Sequence, residues 1–267
     1  MKTRILTALG GTLVILCVGV GGCAQGLTKQ QRMLLDEGQR QYDRHDYGRA
    51  ADAMTRFLAQ VREQPNVADD LARAYYVRGL ANAQRGRRSA ARADLVRAAG
   101  LATGDTAWRA RVTLGTLDFE DGRWAEAAHS YETAAARMPP TPPKDLVLFR
   151  LGLCYERQGS WPRARRAFQE LVGAFPNSAL AAAARRRVGL GATGYAVQCG
   201  AFRTQANAER LQRKLAQQGL DAYVRSETHH GTPLYVVLVG HYRTYEQAVG
   251  YQRMIRQNFV PDAVVWP

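Results

Sequence analysis

The sequence predicts a helical repeat solenoid followed by a small α+β domain with the element order β-α-β-β-α-β. Four glycines, Gly38, Gly79, Gly115 and Gly152, recur at intervals of 41, 36 and 37 residues, a period typical of stacked helical hairpins. After residue 194 the pattern changes to short runs of alternating apolar and polar residues separated by two helical patterns, which is typical of a half-buried sheet with helices on one face. A length of 267 residues accommodates both domains.

The last two repeat units show the pattern most clearly. Leu114-Gly115 and Leu151-Gly152 each precede a Gly-x-Trp turn, and a proline ends each unit. We expect the small residues to lie where the two helices of a hairpin cross. A single hairpin cannot bury its apolar face alone, so the units must stack. We interpret Tyr47, Trp124 and Trp161, which share one position in the turns, as packing residues rather than ligand-binding residues.

These units resemble tetratricopeptide (TPR) repeats. The resemblance implies about four repeats and a capping helix over residues 31–190, and a concave groove that binds a protein partner. Apolar residues in the groove favour a peptide or helix as its ligand; the alternative is that they only contact neighbouring helices. The predicted groove residues are Leu35, Gln39, Tyr76, Leu80, Val112, Thr116, Phe149 and Leu153.

Residues 194–267 form the predicted α+β domain, with a ferredoxin-like element order. The predicted elements are a strand from Tyr195, a helix capped by Thr204 or Asn207, strands over 221–227 and 234–239, a helix from Thr244, and a last strand over 263–266. If both helices cover one face, Val197, Cys199, Val237 and Val239 point towards them, whereas Gln198, Val236 and Leu238 point to the open face.

The C-terminal motifs resemble a SPOR domain. Residues 195–202 read Y-x-V-Q-x-G-x-F, residues 206–211 read A-N-A-E-R-L, and residues 234–242 read L-Y-V-V-L-V-G-x-Y. The resemblance implies binding of bacterial peptidoglycan, usually of glycan strands stripped of their peptides at division sites. Amide side chains and flat apolar surfaces suit a glycan, so the predicted glycan-binding residues are Gln198, Phe202, Tyr223, Arg225, Val236, Leu238, Tyr242 and Trp266.

The basic charge is not interpreted as a nucleic-acid site. The net charge is +14, but 33 of the 37 basic residues are arginines that are spread along the helices, whereas a nucleic-acid site concentrates its charge in one patch. RNA-recognition domains share the predicted topology but carry aromatic residues where this sequence has Gln198, Val236 and Leu238. We therefore expect no nucleic-acid partner.

The N-terminus predicts export and membrane attachment. Lys2 and Arg4 precede an apolar stretch over residues 5–20 that is too short for a good membrane-spanning helix. The following Gly21-Gly22-Cys23 resembles a bacterial lipoprotein signal, which implies a signal peptide over residues 1–22, lipidation of Cys23 and a tether over 23–30. The missing Asp after Cys23 favours the outer over the inner membrane. An ordinary secretory signal with an incidental cysteine is the alternative.

No catalytic, metal or cofactor site is predicted. Zinc, phosphate-loop and nucleophile-elbow motifs are all missing from the sequence. His229-His230 lies on a predicted Gly-Pro turn and is interpreted as solvated. We expect Cys154 and Cys199 to be buried free thiols, because cysteine packs as a small apolar residue.

The sequence thus predicts a non-enzymatic lipoprotein on the periplasmic face of the cell envelope. Its partners would be peptidoglycan at the sheet and an unidentified envelope protein at the groove, and its role would be tethering or localisation, with division sites as one location. Val236 and Leu238 stand where SPOR domains often carry arginine, which leaves a second hypothesis open. In that hypothesis the protein is an outer-membrane assembly-type scaffold whose C-terminal domain docks protein and not glycan.

Overall fold

The computed structural model describes residues 26–229 and 232–266 of the chain. The predicted signal peptide and Cys23 lie outside the described residues. The helices and strands, in chain order, are α1 Lys29–Asp43, α2 Tyr47–Gln60, a 3-10 turn Pro65–Val67, α3 Ala68–Gln84, α4 Arg88–Leu101, α5 Asp105–Glu120, α6 Trp124–Ala135, α7 Lys144–Arg157, α8 Trp161–Ala174, α9 Ala181–Leu190, β1 Tyr195–Phe202, α10 Gln205–Gln217, β2 Ala222–His229, β3 Thr232–Tyr242, α11 Tyr245–Asn258 and β4 Val264–Trp266.

Helices α1 to α8 form four antiparallel hairpins that stack into a solenoid, and α9 packs on the last hairpin. This architecture confirms the predicted helical solenoid. The repeated glycines lie at the crossing of the two helices of each hairpin: a Cβ added at Gly115 would lie 2.9 Å from the Tyr131 ring, and one added at Gly152 would lie 2.5 Å from the Phe168 ring. The glycines therefore recur with the repeat period because each lies where the two helices of its hairpin approach most closely.

The turn inside each hairpin places one residue in the left-handed region of backbone conformation. Gly86, Gly122 and Gly159 adopt φ angles of 73°, 71° and 72° in the second, third and fourth hairpins. The first hairpin uses His45, with a φ angle of 63°. Because this region is strained for residues that have a Cβ, glycine is the favourable residue at these turns.

Buried ion pairs that were not predicted from the sequence join neighbouring helices of the solenoid. Asp94 on α4 is 6% exposed and binds Arg78 on α3 at 2.7 Å, while Asn82 donates to the same carboxylate at 3.2 Å. Asp118 on α5 is 3% exposed and is bound by Arg92 at 3.0 Å and by Arg123. Several of the arginines thus neutralise buried acids.

The C-terminal domain is a four-stranded antiparallel sheet with the strand order β2-β3-β1-β4. Helices α10 and α11 cover one face. The side chains that pack beneath them include Val197, Cys199, Val237 and Val239, as the alternation predicted. The capping box at Thr244 begins α11, whereas Thr204 begins α10 without a side-chain cap bond.

Within the described part of the chain, every helix is too short or too polar to cross a membrane.

Candidate functional site

The face of the sheet opposite the helices is the candidate functional site. One row of paired residues runs across all four strands, from Tyr223 on β2 through Leu238 on β3 and Gln198 on β1 to Val264 on β4. Tyr223 is 37% exposed, Val264 is 44% exposed, and Gln198 is half-buried. The row therefore offers an amide, a phenol ring and an apolar surface on one side of the sheet.

A neighbouring pair of side chains covers the centre of this face. The Arg225 guanidinium lies 4.7 Å from the centre of the Trp266 ring. These residues come from β2 and β4, the two edge strands, whose separation is about 14 Å at the usual strand spacing. The stacked pair thus spans the sheet. Val236 and Leu238, beneath it, are 4% and 0% exposed.

The buried state of Val236 and Leu238 corrects their predicted role. Both lie on the face opposite the helices, as expected, and pack with Ala196 and Trp266. Because almost none of their surface reaches solvent, they form the floor under the Arg225–Trp266 pair and contact no ligand in this arrangement. No local sequence pattern predicts that side chains of the two edge strands cover them.

Two other predicted glycan-binding residues lie away from the open face. Phe202 and Tyr242 pack against the core under α10 and α11. Tyr242 also stacks on Tyr251 of α11 at a ring distance of 4.6 Å. Their aromatic surface therefore packs on the helix side of the domain rather than on the open face, and their contact with glycan stays a prediction. The structure brings four of the predicted residues together at the open face: Gln198, Tyr223, Arg225 and Trp266.

Two exposed residues of the same face were missed by the sequence analysis. Val264 pairs with Gln198, and Ala201 pairs with Val236. Val264 is in phase with Trp266, so strand alternation could have identified it. Ala201 could not be placed in this way, because the register between β1 and β3 shifts between Gln198 and Gly200, and such a shift moves the following residues to the other face.

Two of the predicted groove residues line a cleft of the solenoid. Tyr76 and Val112 line a cleft of about 420 Å³ together with Trp108 and the Pro142-Pro143 turn. Burial raises the pKa of the Tyr76 hydroxyl. The aromatic and proline surfaces of this cleft suit an apolar segment of a partner.

The other predicted groove residues have more varied surroundings. Leu35 is 3% exposed and packs in the core between the first hairpins, so it presents almost no surface to the groove, and its binding role stays a prediction. Thr116 accepts from Arg150 at 2.8 Å and also contacts the Tyr131 hydroxyl. The remaining predicted residues are half-buried; they are Gln39, Leu80, Phe149 and Leu153.

The solenoid and the sheet domain meet at a junction formed by the two turn tryptophans. Trp161 packs edge-on against Tyr195 at a ring distance of 4.9 Å, and its Nε1 donates to the Arg243 carbonyl at 3.3 Å. The Nε1 of Trp124 donates to Glu246 at 3.0 Å. The prediction that these residues only pack is therefore incomplete, because both also bind the C-terminal domain.

A buried acid lies next to this junction. Glu156 on α7 is 4% exposed and binds Arg187 of α9. Burial raises the pKa of Glu156 to about 7, against the opposing effects of Arg187 and Arg157. The folded protein therefore keeps this proton between about pH 4.5 and pH 7, where an unfolded glutamic acid has lost it.

We expect the stability of the protein to fall as the pH rises through that window, because the folded state binds the extra proton. The Glu156→Gln variant mimics the protonated acid and should lose this part of the pH dependence. Chemical unfolding of both proteins at several values from pH 4.5 to pH 7 measures the difference. If the free energies of unfolding of the wild type and the variant change equally with pH, the assignment to Glu156 is contradicted.

The described residues contain no cluster of three or more potential metal ligands. Cys154 and Cys199 are buried free thiols, which confirms their prediction. Burial raises the pKa of Cys154 to about 12 and that of Cys199 to about 11, so both thiols are protonated and unreactive at neutral pH.

Comparison with protein families places both domains. Residues 35–106 and 112–179 match the family described as tetratricopeptide repeat, and these segments span more than half of the chain. Residues 191–266 match the family described as SPOR domain. A comparison with curated proteins returned no match.

Solved structures similar to this chain are helical-repeat proteins. MamA residues 41–end from Desulfovibrio magneticus RS-1 has a TM-score of 0.50 and 16% identity, over 62% of this chain and 85% of that one. A second MamA structure has a TM-score of 0.50 and 18% identity, over 62% and 82% of the two chains. A third has a TM-score of 0.46 and 24% identity, over 54% and 77%. At these identities the likeness concerns the fold alone.

Proposed function

Because the chain belongs to the tetratricopeptide-repeat family and ends in a SPOR domain, we propose that it binds peptidoglycan glycan strands at the open face of the sheet and a protein partner at the solenoid groove. SPOR domains indicate peptidoglycan binding and TPR arrays indicate protein interaction. Both are families of binding domains rather than enzymes. The protein would therefore tether or localise its partner at the cell wall.

The observation on which the glycan function depends most is the arrangement of Gln198, Tyr223, Arg225 and Trp266 on one face. Gln198 supplies an amide that both donates and accepts hydrogen bonds, which suits the acetamido and hydroxyl groups of a glycan. The rings of Tyr223 and Trp266 offer flat surfaces for the apolar faces of sugars. Arg225 adds positive charge beside the Trp266 ring.

The proposed location is the periplasmic face of the cell envelope. Its support is the sequence alone: the basic and apolar N-terminal segment and the Gly21-Gly22-Cys23 motif. Lipidation of Cys23 would attach the protein to a membrane, with the outer membrane favoured, and several acyl chains together give stable attachment. Membrane fractionation of the native chain tests this proposal. Division sites are one location where denuded glycan would recruit it.

A specific observation favours a second candidate function. The floor of the open face, Val236 and Leu238, is apolar and is covered by the Arg225–Trp266 pair. A partner protein could pack on that apolar floor if the pair moved aside. In this case the protein would be an interaction scaffold of the envelope, and its C-terminal domain would dock protein rather than glycan.

Sedimentation with purified sacculi distinguishes the two functions. We expect the full chain to co-sediment with sacculi, and to do so more strongly after an amidase has removed the stem peptides. Gln198→Ala should reduce the apparent affinity about fivefold, since it removes hydrogen bonds at the site. Gln217→Ala, an exposed glutamine on the helix side of the domain, is the matched control and should bind as wild type.

Two outcomes of the sedimentation experiment would contradict glycan binding at the open face. If the folded full chain sediments with neither sacculus preparation, glycan binding is excluded and the scaffold function is favoured. Equal losses for Gln198→Ala and Gln217→Ala would show that the open face is not the binding surface.

A further inference from the structure

A cleft between the two domains has no role in the functions proposed above. It has a volume of about 650 Å³ and lies between α9 of the solenoid and the edge strand β2 of the sheet. Arg186 and Arg187 line it from α9, Arg225 and Glu227 line it from β2, and Phe149 lines it from α7. Each domain therefore supplies charged side chains to one shared space.

Among the described residues, one guanidinium in the cleft has no polar partner. Arg187 binds Glu156, and Arg225 lies 3.6 Å from Glu227 and donates to the Leu190 carbonyl at 3.3 Å. Arg186, by contrast, is exposed and makes no ion pair or hydrogen bond with any residue that the structure describes. Among the described lining residues Glu227 is the only acid. An anionic group would therefore find a free guanidinium in the cleft.

The cleft also offers neutral donors. Ser226 and Thr228 lie on β2 and line the cleft; both are exposed. Hydroxyl groups beside a guanidinium suit a carboxylate that is attached to a polar scaffold such as a sugar. The apolar side of Phe149 completes the opposite wall. This combination favours a small acid borne by a larger polar molecule over an isolated ion.

Arg225 connects the cleft with the open face of the sheet. Its guanidinium stacks on Trp266 above the sheet, and the same side chain lines the cleft beyond the β2 edge. A polymer that lies across the open face and passes over β2 would therefore reach Arg186. The two surfaces form one continuous path that begins on the SPOR domain and ends on α9, the helix that packs on the last hairpin of the solenoid.

We propose that this cleft binds carboxylates of the glycan strand, with Arg186 of the solenoid as their principal partner. The inference rests on the proposed glycan function. A glycan strand without stem peptides has a free lactyl carboxylate on every second sugar, whereas a strand with its peptides has carboxylates only on those peptides. The solenoid would thus contribute directly to ligand recognition and would favour acidic over neutral polysaccharides.

The test compares a carboxylate-bearing glycan with a neutral one. Binding of the full chain is measured by titration with soluble peptide-free glycan, with fragments that keep their stem peptides, and with N-acetylglucosamine oligomers of matched length. We expect Arg186→Gln to weaken binding of the peptide-free glycan about tenfold, as for the loss of a charged hydrogen bond. Its binding of the neutral oligomer should equal that of wild type.

Two further variants sharpen the test. Arg165→Gln removes the same charge from an exposed arginine of α8 that does not line the cleft, so it should bind all ligands as wild type. Glu227→Gln removes the acid opposite the ligand and should strengthen binding of the peptide-free glycan. Opposite effects of the Arg186 and Glu227 substitutions on one ligand are not expected from a general loss of stability.

The outcomes separate this inference from the proposed function. Glycan binding that is unchanged in Arg186→Gln overturns the cleft site and leaves the open face as the glycan site. A tenfold loss that appears only with stem-peptide fragments assigns the cleft to peptide carboxylates and overturns the lactyl assignment. If the wild-type chain binds none of the three ligands, the glycan function and the cleft site are both overturned.

Discussion

Trp161→Ala is expected to lower the free energy of unfolding by about 3–5 kcal/mol, the usual range for truncation of a buried aromatic residue. Trp161 is 6% exposed although it begins a helix of the solenoid. Its ring packs on Tyr195, the first residue of the sheet domain, and its indole nitrogen binds the Arg243 carbonyl. The substitution should therefore loosen the junction as well as reduce stability.

Hydrogen exchange can separate these two effects. In Trp161→Ala we expect faster exchange in β1 and at the start of α11, because both lose their contact with the solenoid. Trp161→Phe keeps one aromatic ring but loses the donor and part of the buried indole surface, so it should cost less than Trp161→Ala, about 1–2 kcal/mol. Tyr47→Ala is the matched control, since Tyr47 lies at the same turn position of the first hairpin and contacts Tyr42 and His45 there.

A particular pattern of exchange would contradict this role. If Trp161→Ala and Tyr47→Ala both leave exchange in the sheet domain unchanged, Trp161 stabilises only its own hairpin. The two domains would then not be coupled through the tryptophan turns.

The junction shows what could not be predicted from the sequence. The repeat pattern correctly placed Trp124 and Trp161 at turns, and the packing of a repeat array accounts for aromatic residues there. Nothing local distinguishes a turn tryptophan that faces solvent from one that faces another domain. The partners Arg243 and Glu246 lie 82 and 122 residues further along the chain, so the contact exists only after both domains have folded and docked.

The open face of the sheet could likewise be predicted only in part from the sequence. Alternation along β3 correctly separated Val237 and Val239, under the helices, from Val236 and Leu238 on the other face. The period of a strand fixes the face of each residue, but it does not determine what lies above that face. The cover formed by Arg225 and Trp266 depends on strand order and on the reach of two long side chains.

The ion pairs of the arginines are a third feature that could not be predicted from the sequence. The spread of the arginines along the helices argued against a nucleic-acid site and indicated no specific role, yet Arg78, Arg92 and Arg187 each bind an acid that is buried in the solenoid. The paired residues are 16, 26 and 31 positions apart, so no helical i,i+4 spacing reveals them. A chain with 33 arginines leaves too many alternatives for such pairs to be chosen from sequence.

Gly152→Ala is expected to lower the free energy of unfolding by about 3 kcal/mol, at the upper end of the usual cost of overpacking. The added Cβ would lie 2.5 Å and 2.6 Å from two ring carbons of Phe168. Phe168 is 1% exposed, and Phe149 packs against it at a ring distance of 5.6 Å. Because the rigid ring is buried and held by Phe149, we expect the α7–α8 crossing to widen.

Two other glycines provide a graded comparison, measured by chemical denaturation of all three variants. Gly38 occupies the equivalent position of the first hairpin, but an added Cβ there meets Met54 at 2.7 Å, and a methionine side chain adapts more easily than a ring. Gly38→Ala should therefore cost less than Gly152→Ala. Gly173 is exposed on α8 with no atom within 4 Å of an added Cβ, so Gly173→Ala should stabilise the protein by about 0.5 kcal/mol.

A second substitution tests the cause of the loss in Gly152→Ala. Replacing Phe168 with leucine in that background reduces the clash, so the double variant should be less destabilised than the sum of the two single changes. If the losses of unfolding free energy of the two single variants simply add in the double variant, Gly152 matters for another reason, such as backbone conformation. Stability of Gly152→Ala equal to wild type would show that the helices of a hairpin can separate without cost, and the glycine period would then not reflect close packing.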